Sequence, residues 1–131
     1  MSYSTTKAIQ SYYMGLDFDT ADYINKTEVR NWITEFSIIV DNTIRRVYSL
    51  PISNQNDLVY LKLIVEKFVV GKIDAILRVS STDEDKKYLR NRNYTKDANK
   101  MLSDLANGNV LLETGVKNIA PIGYLKGNYD D

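Results

Sequence analysis

Residues 27–52 read TEVRNWITEFSIIVDNTIRRVYSLPI. Within them Val29, Ile33, Phe36, Val40, Ile44 and Val47 recur at steps of three or four, the repeat that gathers side chains on one face of an α-helix. Pro51 stops that helix, because it has no amide hydrogen and its ring pushes Leu50 into extended backbone. The stretch therefore predicts a long amphipathic helix closed by an apolar hook, Leu50-Pro51-Ile52. Thr27 is placed to cap the helix, and Asp41 and Arg45 stand four apart in the favourable acid-before-base order. Such a pair adds only a few tenths of a kcal/mol. Trp32, Tyr48 and the apolar set outweigh it, at roughly 1.5 to 3 kcal/mol for each large side chain buried.

Upstream, Ser4 and Thr5 can cap a short helix through Ala8, Ile9, Tyr12 and Tyr13, with Gly15 where a left-handed terminating residue is wanted. Residues 16–25 connect it to the long helix, and Phe18, Tyr23 and Ile24 supply apolar surface to lay the connector against the domain. Downstream, residues 53–56 form a polar turn in which Asn56 can cap a third helix over 57–78. Its apolar stripe, Leu58, Leu61, Ile64, Val65, Phe68, Val69, Ile73, Ile76 and Leu77, is wider than one partner helix needs, which makes it the central core helix. Gly71 costs that helix about 1 kcal/mol of propensity relative to alanine. Either another backbone passes close by there or the glycine is merely tolerated.

Ser80, Ser81 and Thr82 break the third helix, and Asp83, Glu84 and Asp85 then suit a new helix start. Tyr88, Leu89, Tyr94, Ala98, Met101, Leu102 and Leu105 can be threaded on one face of a segmented helical stretch, with or without a break near Thr95, before Gly108 ends it. From 109 the character changes: Gly115, Pro121, Gly123 and Gly127 forbid a long helix, while residues 110–112 and 119–125 are short apolar pieces. The expected architecture is an all-α bundle of about four helices over residues 1–108, followed by an extended, partly strand-like arm over 109–131.

Seventeen basic and seventeen acidic residues give a formal net charge of zero, so the chain as a whole lacks the positive field of a nucleic-acid binder. Cys and His are both absent, which removes disulfides, thiolate nucleophiles, imidazole bases and nearly all zinc, copper and haem ligation. The polar start MSYSTTKAIQ does not read as a signal peptide, and no apolar run approaches the ~18 residues of a membrane span. A non-exported chain with no membrane partner is the expectation.

No Gly-rich phosphate loop, dinucleotide turn or nucleophile elbow is found, and the carboxylates, Lys, Tyr and Ser/Thr that remain form no catalytic spacing. The reading is of a non-enzyme without cofactor, catalytic residue or metal site. Asp17, Asp19 and Asp22 lack the glycine turn and distal Glu of a calcium loop, and Asp83 to Asp85 are ordinary first-turn acids. The best candidate for DNA contact is the basic run Lys86, Lys87, Arg90 and Arg92 with Tyr88 and Tyr94 interleaved, against which stands the mixed charge of a solvated helix face.

The run from Val29 with Ser37, Val40-Asp41, Ile44, Tyr48 and Leu50-Pro51-Ile52 resembles the small helical head-to-tail connector proteins of tailed bacteriophages, also called adaptor or head-completion proteins. The resemblance extends to Tyr3-Ser4-Thr5, to the apolar third helix and to a late block of Tyr94, Ala98, Met101-Leu102, Leu105, Gly108 and Leu111, so that it covers most of positions 3–112. It implies a structural virion protein, made in the bacterial cytoplasm, that forms a homo-oligomeric ring, typically a dodecamer, beneath the portal protein. There it would extend the DNA channel, which DNA traverses without specific binding, and receive the tail or a further connector. The arm would then reach the portal or a neighbouring subunit through Ile119, Ile122, Tyr124 and Leu125, for instance by adding a strand. Packing of those residues on their own domain is the alternative, as a small helical DNA-binding or regulatory module is for the whole chain.

Overall fold

The computed structural model describes residues 2–80, 82–90 and 92–117. Among them are four α-helices: α1 (Thr6–Gln10), α2 (Lys26–Ile44), α3 (Gln55–Ser80) and α4 (Tyr94–Ala106), with 3-10 turns at Ser11–Tyr13 and Asp85–Tyr88. The fold is all-α, as the sequence predicts.

The three long helices share one local device. Asn25, Asn54 and Asn93 each accept from the backbone N–H three residues on, of Glu28, Asp57 and Lys96, at 2.9, 3.0 and 3.0 Å. Each satisfies one of the donors that a helix start leaves without a partner. Two expectations are corrected here. Asn25 rather than Thr27 begins α2, and Asn54 rather than Asn56 begins α3; Thr27 falls inside the first turn, and the Asn56 amide turns to Glu113 instead. The expected Asp41–Arg45 pair is replaced as well. The Tyr3 hydroxyl donates to Asp41, while Arg45 reaches back to Asn42 Oδ1 at 3.4 Å.

α3 is the axis. Phe36 of α2 stacks on Phe68 at 4.8 Å between centroids, and Trp32, one turn earlier, lies beneath the Lys72 ammonium, one turn later. α2 and α3 are therefore antiparallel. On another face Thr95 meets Gly71, Asp97 meets Lys67, and the charge of Asp104 reaches Tyr60, so α4 also runs antiparallel to α3. The N-terminal segment covers a third face: Ser4 and Tyr12 bond to Glu66, and Tyr13 reaches Val70 and Asp74. Three covered faces account for the unusual width of the apolar stripe. Leu61, Ile64, Val65, Val69, Val70, Ile73 and Leu77 are all fully buried.

Gly71 has the role its position predicts. A Cβ there would lie 2.1 Å from Thr95 Oγ1 and 2.8 Å from Thr95 N, so the start of α4 crosses α3 at the one residue without a side chain. The stretch after α3 is segmented, but its break comes before Thr95: Leu89 is extended, and α4 begins at Tyr94. Tyr94, Ala98, Met101, Leu102 and Leu105 form its inward face as expected, whereas Tyr88 and Leu89 belong to the preceding turn.

Candidate functional site

Two polar assemblies occupy the places to which the sequence points. The first lies at the hook. The peptide bond before Pro51 is cis, and Tyr48 and Ile52 are buried on either side of it. The Tyr48 hydroxyl accepts from the Leu112 N–H at 3.0 Å. Asp57, buried in the first turn of α3, accepts from the N–H groups of Glu113 and Thr114 at 2.8 and 2.7 Å and from the Thr114 hydroxyl. Lys117 completes the attachment, with its N–H on the Val47 carbonyl at 2.8 Å and its ammonium on the Arg45 carbonyl at 2.6 Å. Residues 112–117 are thus fastened across the corner between α2 and α3. No strand forms among the described residues, and Ile119, Ile122, Tyr124 and Leu125 lie outside them.

Burial by itself would raise the Asp57 carboxyl, but the three donors from Glu113 and Thr114 outweigh it and hold the group below the usual carboxylate range. A depressed folded value means stability that is complete above the unfolded value, ~3.9, and is lost as pH falls through the folded one. Asp57→Asn is expected to lower the unfolding free energy by about 2 kcal/mol at pH 7, as loss of hydrogen bonds to a charged acceptor does. It should also flatten the acid limb of the stability curve. Urea titrations between pH 2.5 and 7 check both, and a variant whose acid limb matches the parent would contradict the assignment.

The second assembly surrounds Arg90. Its guanidinium lies over the rings of Tyr13, Tyr12 and Tyr94, at 4.5, 5.3 and 5.8 Å from their centroids. It donates to the Tyr12 carbonyl and stands 3.6 Å from Asp74 Oδ1, which also accepts from the Tyr13 hydroxyl at 2.7 Å. Tyr12 in turn donates to Glu66 Oε1 at 2.9 Å, and Ser4 donates to Glu66 Oε2 at 2.5 Å. Burial, then its bond to Glu66 and the Glu66 charge, push the Tyr12 phenol up to about 12. Burial and Asp74 drive Tyr13 further in the same direction. The Asp74 carboxyl is raised too, since its burial outweighs the Tyr13 bond and the charges of Arg90 and Arg78. These phenols stay protonated as donors, so the assembly ties the N-terminal segment, α3 and the segment before α4 together.

The basic run is consequently divided. Arg90 is committed inward, Arg92 bonds Asp97 through its Nε, and Lys87 lies over the Tyr88 ring at 5.3 Å. Lys86 is half-buried on the 3-10 turn. The sequence reading passes over Asp57, Glu66 and Asp74, although each stands conspicuously in or beside the apolar stripe of α3. An acid on a stripe that buries nearly all its neighbours must find donors, and that was the available signal.

With this geometry the chain defines a small all-α protein organised by buried Tyr–carboxylate contacts. No protein-family model, curated protein or solved structure matches it. No helix among the described residues is long and apolar enough to cross a membrane.

Proposed function

We propose that this chain is a structural subunit of a phage head-to-tail connector, assembling as a ring under the portal, with the segment after residue 108 as its docking arm. The reading rests on the resemblance, and one observation carries it further: blocks of the resembling pattern that are far apart in sequence bond to one another. The Tyr3 N–H donates to Ser37 Oγ at 3.0 Å and the Tyr3 hydroxyl to Asp41; Tyr48 accepts from Leu112, next to Leu111. An arm whose root is clamped to the α2–α3 corner also suits a docking role, because its direction of departure is tied to the body of the subunit. Exposed apolar side chains at Ile38 and Ile39 on α2 and at Val59 and Leu63 on α3 offer surface for neighbours.

Native mass measurement of the full chain, alone and with portal, tests the reading. A ring, or assembly that depends on portal, is the expected result, and a strict monomer indifferent to portal would reject it. Removal of residues 118–131 leaves the described anchors in place and is expected to abolish incorporation into particles. Unchanged incorporation would reject the docking role of the arm.

A further inference from the structure

Beyond the crossing at Gly71, α3 continues for more than two turns to Ser80, while α4 begins beside it and runs the other way. Between this end of α3 and the start of α4, with the residues just before it, lies an open cleft of about 720 Å³. Arg78, Arg92 and Lys96 line it, against a single lining carboxylate, Asp74, which is buried and already engaged by Tyr13 and Arg90. Arg92 is committed to Asp97 through Nε. Among the described residues neither Arg78 nor Lys96 forms an ion pair within 4 Å, although the charge of Arg78 reaches Asp74 and that of Lys96 reaches Asp97, and both side chains are exposed. Asn93 uses its Oδ1 to cap α4, which leaves its amide nitrogen as a donor at the same edge. On a chain with zero net charge, this is a local concentration of cations and donors.

We infer that this cleft, through Arg78, Lys96 and Arg92, binds phosphate groups of a nucleic-acid backbone. Cations in an open cleft suit phosphates that arrive in series along a strand, each neutralised by one side chain. Recognition of bases is disfavoured because the lining holds one aromatic ring, Tyr94, and that ring already has Lys67 over it at 4.3 Å and Arg90 at 5.8 Å. Binding is therefore indifferent to sequence. The inference stands on the charges of the cleft and does not need the connector reading, although a subunit beside passing DNA would have use for such a contact.

The test is a fluorescence-anisotropy titration of the full chain with a labelled 20-base-pair duplex between 25 and 200 mM salt. Binding at low salt that weakens as salt rises is expected. Arg78→Gln with Lys96→Gln, two exposed positions, should weaken binding at least ~10-fold at low salt and make the slope of log K against log salt shallower by about 1.8, for two lost phosphate contacts. Lys86→Gln with Lys87→Gln should change both far less. Inorganic phosphate and ATP, added at matched ionic strength, should not displace the duplex. Absence of binding at 25 mM salt, an unchanged slope in the cleft variant, or loss of binding in the Lys86/Lys87 variant alone would overturn the assignment. Displacement by phosphate or ATP at matched ionic strength would overturn the backbone as ligand and leave a small-phosphate site.

Discussion

Arg90→Ala is expected to remove about 3 kcal/mol of stability, at the lower end of what breaking a buried charge pair costs. The side chain is only one-fifth exposed and its partner Asp74 less than one-tenth, so water does not readily replace what is removed. Asp74 keeps the Tyr13 hydroxyl but loses its cation, and the Tyr12 and Tyr13 rings lose the guanidinium lying over them. The pH dependence separates this account from simple loss of packing. A carboxyl whose folded value is raised binds its proton more tightly in the folded chain, so its contribution to stability falls as pH rises from ~3.9 through that raised value. Without Arg90 the value rises further, and the deficit of the variant should be larger at pH 7 than at pH 4.5. Urea titrations at the two pH values measure it. Adding Asp74→Asn should recover part of the loss at pH 7; an equal deficit at both pH values with no recovery would contradict the pairing.

Gly71→Val should be comparably damaging. The new Cβ would meet Thr95 Oγ1 at 2.1 Å and the Thr95 backbone nitrogen at 2.8 Å, and the backbone contact cannot be relieved by turning a side chain. Overpacking of this kind costs about 1 to 3 kcal/mol or more, and valine lies at the upper end because its branched Cβ brings further atoms to the same place. Alanine should lose less, since it regains about 1 kcal/mol of helix propensity. α4 must move off α3 to relieve the clash, which would also stretch the Lys67 contacts to Asp97 and Tyr94. Thr95→Gly in the Gly71→Ala background should restore only part of the stability, because the backbone nitrogen remains. Thermal unfolding of the four chains checks the order, and an alanine variant more stable than the parent would show that the crossing is not tight.

Much of this was legible from residues alone. The apolar repeat of α2, the broad stripe of α3 and the terminating Gly15 and Gly108, both at positive φ, are local properties written in spacing and residue type. The end of α2 was not: the helix stops at Ile44 rather than at Pro51, and Val47 lies in the turn that follows. Caps were the least legible feature. Thr27 and Asn56 are as acceptable in isolation as Asn25 and Asn54, and the choice falls to where the chain enters the bundle. Charge partners escape a local pattern for a similar reason: Asp41 has Arg45 four residues away, but the Tyr3 hydroxyl, brought from the far end of the chain, takes the position instead.

The sequence by itself determined a helical chain with one dominant buried helix, a corner at the proline and a change of character after Gly108, because periodicity and backbone restriction act within a few residues of each other. Only the tertiary structure decided that Asp57 clamps the root of the arm, that Arg90 points inward among three tyrosines, and that Arg78 and Lys96 share a cleft with Arg92. These side chains lie between 4 and 78 positions from the groups they meet. No local pattern encodes such encounters; they arise where antiparallel helices bring opposite ends of the chain to one place.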